Sequence, residues 1–382
     1  MMTSITLAGT VRARTAEETW EALRPEIRRL GISRVARLTG LDHLGIPVWT
    51  AVRPHARTLV TSQGKGATDT LAKISAVLES AELWHAEQPL KADIHACHRD
   101  LEVPYPLQAL PTKVDDPALA GLPLDWVTGR GLISGEDVLI PADVVRRQQH
   151  RGGQPEIFYV TSNGLACGNN LTEATLHALL EAVERDVLHD DYVTGSRYRT
   201  LLLPHTVTDP YCRDLVDRFL NAGMWLEMAW VDNAHNVPVC AAYIWSEDYP
   251  IVFAGSGCHF DPRIALSRAL TEAAQSRLTC IAGTRDDLDS HENAFAANPA
   301  RPTLADLPTA DWNNLTHHRI PEHDDLDAHL AAIAASVAGV TGHEPVAFTL
   351  HAAEAYAAVK VVSPGLEMRI IRSIPRPGGR RA

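Results

Sequence analysis

The sequence predicts an α/β (α+β) fold in which mixed β-sheets pack against long helices. Three observations carry that expectation: long helical patterns at 69–87, 170–190 and 261–282, a block of strand-like segments at 225–231, 237–245 and 250–256, and no composition shift that would mark an interdomain linker. The 382 residues are 45% hydrophobic and 21% charged, which excludes a disordered, collagen-like or coiled-coil chain and leaves ample material for a buried core.

Along the chain, Thr15 is placed to cap a first helix over 15–30, with Gly31 as its stop. β-rich runs follow at 46–52 and 58–62, and Pro89 closes the helical pattern at 69–87. The stretch 138–157 reads as a loop carrying Arg146, Arg147, His150, Arg151 and the pair Gly152-Gly153. The segments between 225 and 256 read as strands because aromatic and β-branched residues cluster between turn residues. Residues 284–325 are polar, acidic and proline-containing, which predicts an irregular surface segment. A helix near 326–338 and strands near 345–350 and 357–363 complete the chain.

Asp plus Glu outnumber Lys plus Arg by 47 to 35, a net charge of −12, which argues against the basic stripe a nucleic-acid partner requires. Cys97, Cys167, Cys212, Cys240, Cys258 and Cys280 are scattered, with no Cys-x-x-Cys pair, so neither a zinc site nor a disulfide framework is expected. Reduced cysteines, and an N-terminus without a charged segment followed by an apolar one, lead to a cytoplasmic expectation. The best membrane candidate, 328–342, is interrupted by His329, Ser336 and Gly339 and falls short of the ~20 apolar residues of a span.

The most informative feature is a repeat. Gly66 lies thirteen residues before Glu79 in a run that reaches Glu82, and Gly168 lies thirteen residues before Glu181 in a run that reaches Glu184. A third copy, Ala269-Leu270-Thr271-Glu272-Ala273-Ala274-Gln275, replaces the last glutamate by glutamine. Residues three apart share a helix face, so each pair aims two oxygens in one direction. A single such pair is ordinarily a solvated face, but Ala76, Val77 and Leu78 around Glu79, and Leu179, Leu180 and Val183 around Glu181, are wrong for a surface. Carboxylates on buried helices require cations, and oxygen-only ligands without Cys or His pairs point to Mg²⁺, ordinarily accompanied by phosphates. Lys65, between Gly64 and Gly66, is read as part of a turn that could cradle an anion, although no Walker loop is present. Arg185 beside Glu184 and Arg268 one turn before Glu272 are further cations, each also suited to an intrahelical salt bridge.

These residues resemble the signatures of YcaO-domain proteins. Gly64-Lys65-Gly66-Ala67-Thr68 with Ser75, Glu79 and Glu82 resembles the first. The run 162–169 with Glu173, Glu181, Glu184 and Arg185 is similar to the second, and Arg268, Glu272, Gln275, Ser276 and Arg277 with Arg285-Asp286-Asp287 to the third. The resemblance extends from about Arg12 to the C-terminus, and 31–48 is similar to standalone members, both those paired with a TfuA-like partner and those of bottromycin-type pathways.

The resemblance implies ATP-dependent activation of a backbone amide in a ribosomally made precursor peptide. A nucleophile adds to the carbonyl, the oxyanion takes the γ-phosphoryl group, and phosphate leaves. The product is an azoline, a macrolactamidine or a thioamide according to the nucleophile. The leading expectation is cyclodehydration; the alternative is thioamide formation with a TfuA-like partner and a sulfide donor. A non-catalytic peptide-binding scaffold and a nucleotide-binding regulator are rivals of other classes. The implied cofactors are ATP and Mg²⁺, and the implied partners are the precursor peptide, a TfuA-like or peptide-recognition protein and a second copy of the chain as a homodimer.

By motif position, Glu79, Glu82, Glu181 and Glu184 are implied metal ligands. Arg12, Thr19, Lys65, Ser75, Asn169, Glu173, Arg185, Arg268 and Glu272 are implied nucleotide contacts, with Arg185 and Arg268 stabilising phosphate. Residues 1–60 are then a segment completing the nucleotide site, and 61–382 the YcaO domain. Three departures stand out: Leu83 follows Glu82 where many members carry arginine, Ala166 replaces a serine of some members, and the tail 373–382 lacks the proline-spaced ending of many azoline-forming members.

Overall fold

The computed structural model describes residues 4–147, 156–285, 287–288, 295, 300–315, 325–367, 374, 376 and 377, and these form four sheets crossed by long helices, as the sequence predicts. An antiparallel hairpin of β1 (Ile5–Leu7) and β2 (Thr10–Arg12) leads into α1 (Ala16–Leu23), which starts on a Thr15–Glu18 capping box. The expected single helix over 15–30 is instead two, because Pro25 lacks the N–H that would continue the ladder; α2 (Glu26–Arg29) follows it.

Three antiparallel strands, β3 (Arg34–Arg37), β4 (Val48–Val52) and β5 (Thr61–Lys65), form a small sheet under α3 (Asp69–Ala86). Lys65 is therefore the last residue of a strand, paired with Val48, and not part of a flexible turn.

A six-stranded sheet has the order β6 (Ile94–Cys97), β7 (Pro123–Gly131), β15 (Val346–Ala352), β16 (Ala357–Val362) and β9 (Leu165–Gly168), with β8 (Asp137–Pro141) also on β7. The start of the expected 138–157 loop is thus strand β8 and the short α4 (Ala142–Val145); His150, Arg151, Gly152 and Gly153 lie outside the described residues. Helix α5 (Leu171–Val193) packs on this sheet through Ala178, Leu179, Ala182 and Val183 against Val359 and Val361.

The five-stranded sheet runs β13 (Phe253–Cys258), β12 (Val239–Trp245), β11 (Trp225–Val231), β10 (Arg199–Leu202) and β14 (Thr309–Ala310), parallel only between β10 and β14. Helices α6 (Pro210–Asn221) and α7 (Pro262–Ala282) cover one face. The segment expected to be irregular contributes β14 and α8 (Trp312–Leu315), whose Trp312 is buried; α9 (Leu326–Thr341) packs against α5.

The acidic repeat is a repeat of structure. Thr68, Asn170 and Asp261 cap α3, α5 and α7, each side chain accepting from a backbone N–H of the first turn. Counted from those caps, Glu79, Glu181 and Glu272 each fall eleven residues on, and Glu82, Glu184 and Gln275 fourteen. Alanines four and eight residues past each cap (Ala72 and Ala76, Ala174 and Ala178, Ala265 and Ala269) are fully buried. They meet glycines of the preceding strand so closely that a Cβ on Gly64 would stand 2.0 Å from the Ala76 nitrogen, one on Gly168 2.5 Å from the Ala174 nitrogen, and one on Gly255 2.2 Å from the Ala269 oxygen. Backbone-to-backbone contact of this kind fixes each helix on its sheet and so fixes the height of its acidic residue.

Candidate functional site

The three acidic faces open into one cavity of about 1610 Å³ whose wall includes Glu79, Glu82, Glu181, Glu184 and Glu272. Lys65, Ser75, Arg12, Arg185 and Arg268 line the same cavity, so the structure brings together most of the residues singled out from the sequence. Each helix contributes one residue seven past its cap (Ser75, His177, Arg268) and these too are on the wall.

Protein donors aim the carboxylates. The Cys167 N–H donates to Glu82 Oε1 at 2.8 Å, the Gly164 N–H to Glu181 Oε2 at 3.1 Å and the Ser256 hydroxyl to Glu184 Oε1 at 2.6 Å. Lys65 Nζ lies 2.8 Å from Glu272 Oε2, and Arg185 lies 3.7 Å from Glu181 and 3.8 Å from Glu184. Burial pushes Glu79 up to about 7; Arg285 and Lys65 oppose the rise, while Glu272 and Glu181 add to it. Glu82 is pushed well above the usual carboxylate range by burial, held back by the Cys167 N–H and raised further by Glu79 and Glu181. Burial raises Glu181 as well, against Arg185. Glu272 alone falls, because Lys65 and the two arginines Arg185 and Arg268 outweigh its burial. Burial raises acids and opposite charge lowers them, so the cavity is an acidic centre short of positive charge.

The N-terminal residues form a layer behind this wall. Arg12 bonds Glu173 at 3.1 Å and contacts His177, whose own basicity is suppressed by burial and by Arg12. Thr19 donates to Asn169 Oδ1 at 2.8 Å, Asn169 donates to Glu173 at 3.0 Å, and the Ala13 N–H donates to the same carboxylate at 2.8 Å. Thr19, Asn169 and Glu173 are buried here, and of this network it is Arg12 and His177 that face the cavity.

Leu83 is buried on the wall where the resemblance led us to expect one cation fewer, but Arg147 and Arg285 also line the cavity. Neither was assigned a role from sequence, nor were His177 and Ser256. The equal spacing from the helix caps would have pointed to His177, whereas Ser256 and Arg147 are brought in by tertiary packing alone.

A polyphosphate with a divalent cation suits these groups. Among the described residues, Arg185 Nε, Arg268 Nε and Gln275 Oε1 are buried without a hydrogen-bond partner, which leaves guanidinium donors for anionic oxygen. No three His, Cys, Asp or Glu side chains among the described residues are drawn together closely enough to hold a metal by themselves. The shortage of positive charge among Glu79, Glu82 and Glu181 is nevertheless the deficit a hard cation removes.

Fold and site together define a nucleotide-binding protein built on three capped acidic helices. Residues 63–367 match the YcaO family, described as YcaO cyclodehydratase, ATP- and Mg²⁺-binding. A protein of Mycobacterium tuberculosis is 37% identical over 380 residues, covering 94% of this chain and 83% of that protein. A protein encoded in the region 3′ of tfuA in Rhizobium leguminosarum bv. trifolii is 33% identical over 382 residues, covering 94% of this chain and 89% of that one. The YcaO of Methanopyrus kandleri, solved with AMPPCP and Mg²⁺, superposes with a TM-score of 0.73 at 22% identity, covering 96% of this chain and 95% of that chain. The chain belongs to the YcaO family, and its cofactors are those of the family, ATP and Mg²⁺. No helix among the described residues is long and apolar enough to cross a membrane.

Proposed function

We propose that this chain activates a backbone amide of a ribosomally made precursor peptide by phosphorylating its oxygen, with cyclodehydration as the outcome. The observation that carries the reading is the convergence of three helices on one cavity, with an acidic centre beside Arg185 and Arg268, whose Nε atoms have no hydrogen-bond partner among the described residues. Glu79, Glu82, Glu181 and Glu184 would hold Mg²⁺. Lys65, Ser75, Arg185, Arg268 and Glu272 would hold the phosphates, and Arg12, supported by Thr19, Asn169 and Glu173, the rest of the nucleotide. Residues 1–60 then complete a site whose main body is 61–382. The chemistry ATP supplies is a phosphoryl group that makes the amide oxygen a leaving group. The two arginines stabilise negative charge as it shifts between oxygens, and a preorganised donor of this kind is worth roughly 10²–10³ in rate.

A second reading is favoured by one observation: a relative encoded beside tfuA. With a TfuA-like partner and a sulfide donor, the same activated amide gives a thioamide. The two differ in the source of the nucleophile. A nucleophile tethered in the peptide has a high effective concentration and needs no second protein. The test is mass spectrometry of the precursor peptide after incubation with the purified chain, ATP and Mg²⁺. Loss of one water, about 18 Da, supports cyclodehydration. A gain of about 16 Da, seen only when sulfide and a partner protein are added, replaces it with thioamidation. Nucleotide binding without peptide-dependent ATP consumption under either condition would leave a scaffold or regulator.

A further inference from the structure

We infer that Lys360, which lies outside the cavity wall, is a positioning residue of the nucleotide site, clamping the 161–164 turn so that Gly164 presents its N–H to Glu181. The inference rests on the reading above that Glu181 faces the cation of the bound nucleotide.

Lys360 lies within β16, where every residue is buried, and is itself only 4% exposed. An ammonium in such a place is costly unless its protons are well used. Its Nζ donates to the Thr161 carbonyl at 3.0 Å and to the Asn163 carbonyl at 2.6 Å. The two remaining carbonyls of the turn are also taken, Ser162 O by the Leu165 N–H at 2.9 Å and Gly164 O by the Val361 N–H at 2.7 Å. All four carbonyls of the turn are thus accounted for from β16 and the start of β9, and Lys360 supplies half of the partners. An aliphatic residue would remove both of these hydrogen bonds from the turn.

What the clamp holds is part of the site. Ser162 is on the cavity wall, and Gly164, at φ +77°, turns its N–H onto Glu181 Oε2 at 3.1 Å. A positive φ is open to glycine and strained for other residues, so Gly164 suits the turn that aims this N–H. Burial lowers the Lys360 ammonium to about 8 while the charge of Glu181 pulls it back up, and the ammonium in turn lowers Glu181. Lys360 thus acts on Glu181 twice, through the turn and through its field.

The test is calorimetric binding of a non-hydrolysable ATP analogue in the presence of Mg²⁺, with amide exchange at Gly164 measured in the absence of nucleotide. Lys360→Met should weaken binding by about 10-fold or more, the size of a lost hydrogen bond to a charged group, and accelerate Gly164 exchange. Added to Glu181→Gln it should cost less than about threefold more, since both changes act through one carboxylate. Wild-type affinity in a folded Lys360→Met chain, or losses that multiply fully in the double variant, would overturn the inference. Lys360→Gln, which keeps an N–H donor, carries the same test should the methionine variant not fold. If Glu181→Gln itself binds the nucleotide normally, the assignment of Glu181 fails, while Gly164 exchange still reports on the clamp.

Discussion

Helices α3 and α5 carry the same construction and end in different electrostatic states. Both are capped by a polar side chain, both lie on a strand glycine through buried alanines, and both present two glutamates at equal distances from the cap. Helix α5 follows its second glutamate with Arg185, within 4 Å of both carboxylates, whereas α3 has the buried Leu83 at that place. Relief for the α3 pair comes from other elements, chiefly Arg285 and Lys65 on Glu79, and Glu79 still stands near 7 with Glu82 well above its ordinary value. Equal backbone placement therefore does not mean equal need for a cation. The α3 pair is where added positive charge stabilises most.

The largest effect should come from the better-compensated helix. Glu181→Gln is expected to abolish peptide-dependent ATP hydrolysis while thermal unfolding stays cooperative; turnover at the wild-type rate would remove Glu181 from the site. Next is the cradle. Gly64→Ala places a Cβ against the Ala76 backbone and should lose about 3 kcal/mol or more in urea unfolding, whereas Gly40→Ala, with open space around it, should be silent. Equal stabilities would show that α3 does not depend on close approach.

Gln275→Glu completes the pattern on α7 that α3 and α5 already have. It removes the amide that donates to the Gln63 carbonyl at 2.9 Å and adds a buried charge, at a cost of about 1–3 kcal/mol. Added Mg²⁺ should recover part of that loss. A cation-independent loss would mean that α7 stands apart from the acidic centre.

The smallest effect concerns pH. A glutamate whose folded value is raised binds its proton more tightly when folded, so its contribution is fullest below the unfolded value near 4.5 and is lost as pH climbs to about 7. Glu79→Gln should flatten that decline, stabilising the cation-free protein by about 1 kcal/mol at pH 7.5 relative to wild type and by less at pH 5. Parallel stability curves for the two proteins would contradict the raised value.

The three long helices and their acidic faces were legible because they combine two local signals, helical periodicity and a repeated glycine-to-glutamate spacing. The third copy was harder to read. Two more residues separate Gly257 from its cap than separate Gly66 or Gly168 from theirs, so the count from glycine slips while the count from the cap does not. The break at Pro25 was also written in the chain, inside the span drawn from the Thr15 cap to the Gly31 stop. Strands β7, β8 and β9 gave weaker signals, since their identity depends on partners far away in sequence: β9 pairs with β16 and β7 with β15. For the same reason Ser256, Arg147 and Lys360 were invisible as site residues, each reaching the site across a sheet or from another element.

The caps of α3, α5 and α7 carry one more consequence. A helix rises about 1.5 Å per residue, so eleven residues place each acidic group about 16–17 Å from a fixed origin, and one inserted residue would swing it by about 100° off the wall. The linkers before the caps vary, since the strand ends Lys65, Gly168 and Cys258 stand three, two and three residues before their caps. Length is thus metered on one side of each cap and free on the other. Variation that would misplace a ligand inside the helix is harmless a few residues earlier, and insertions that preserve this architecture belong between strand and cap.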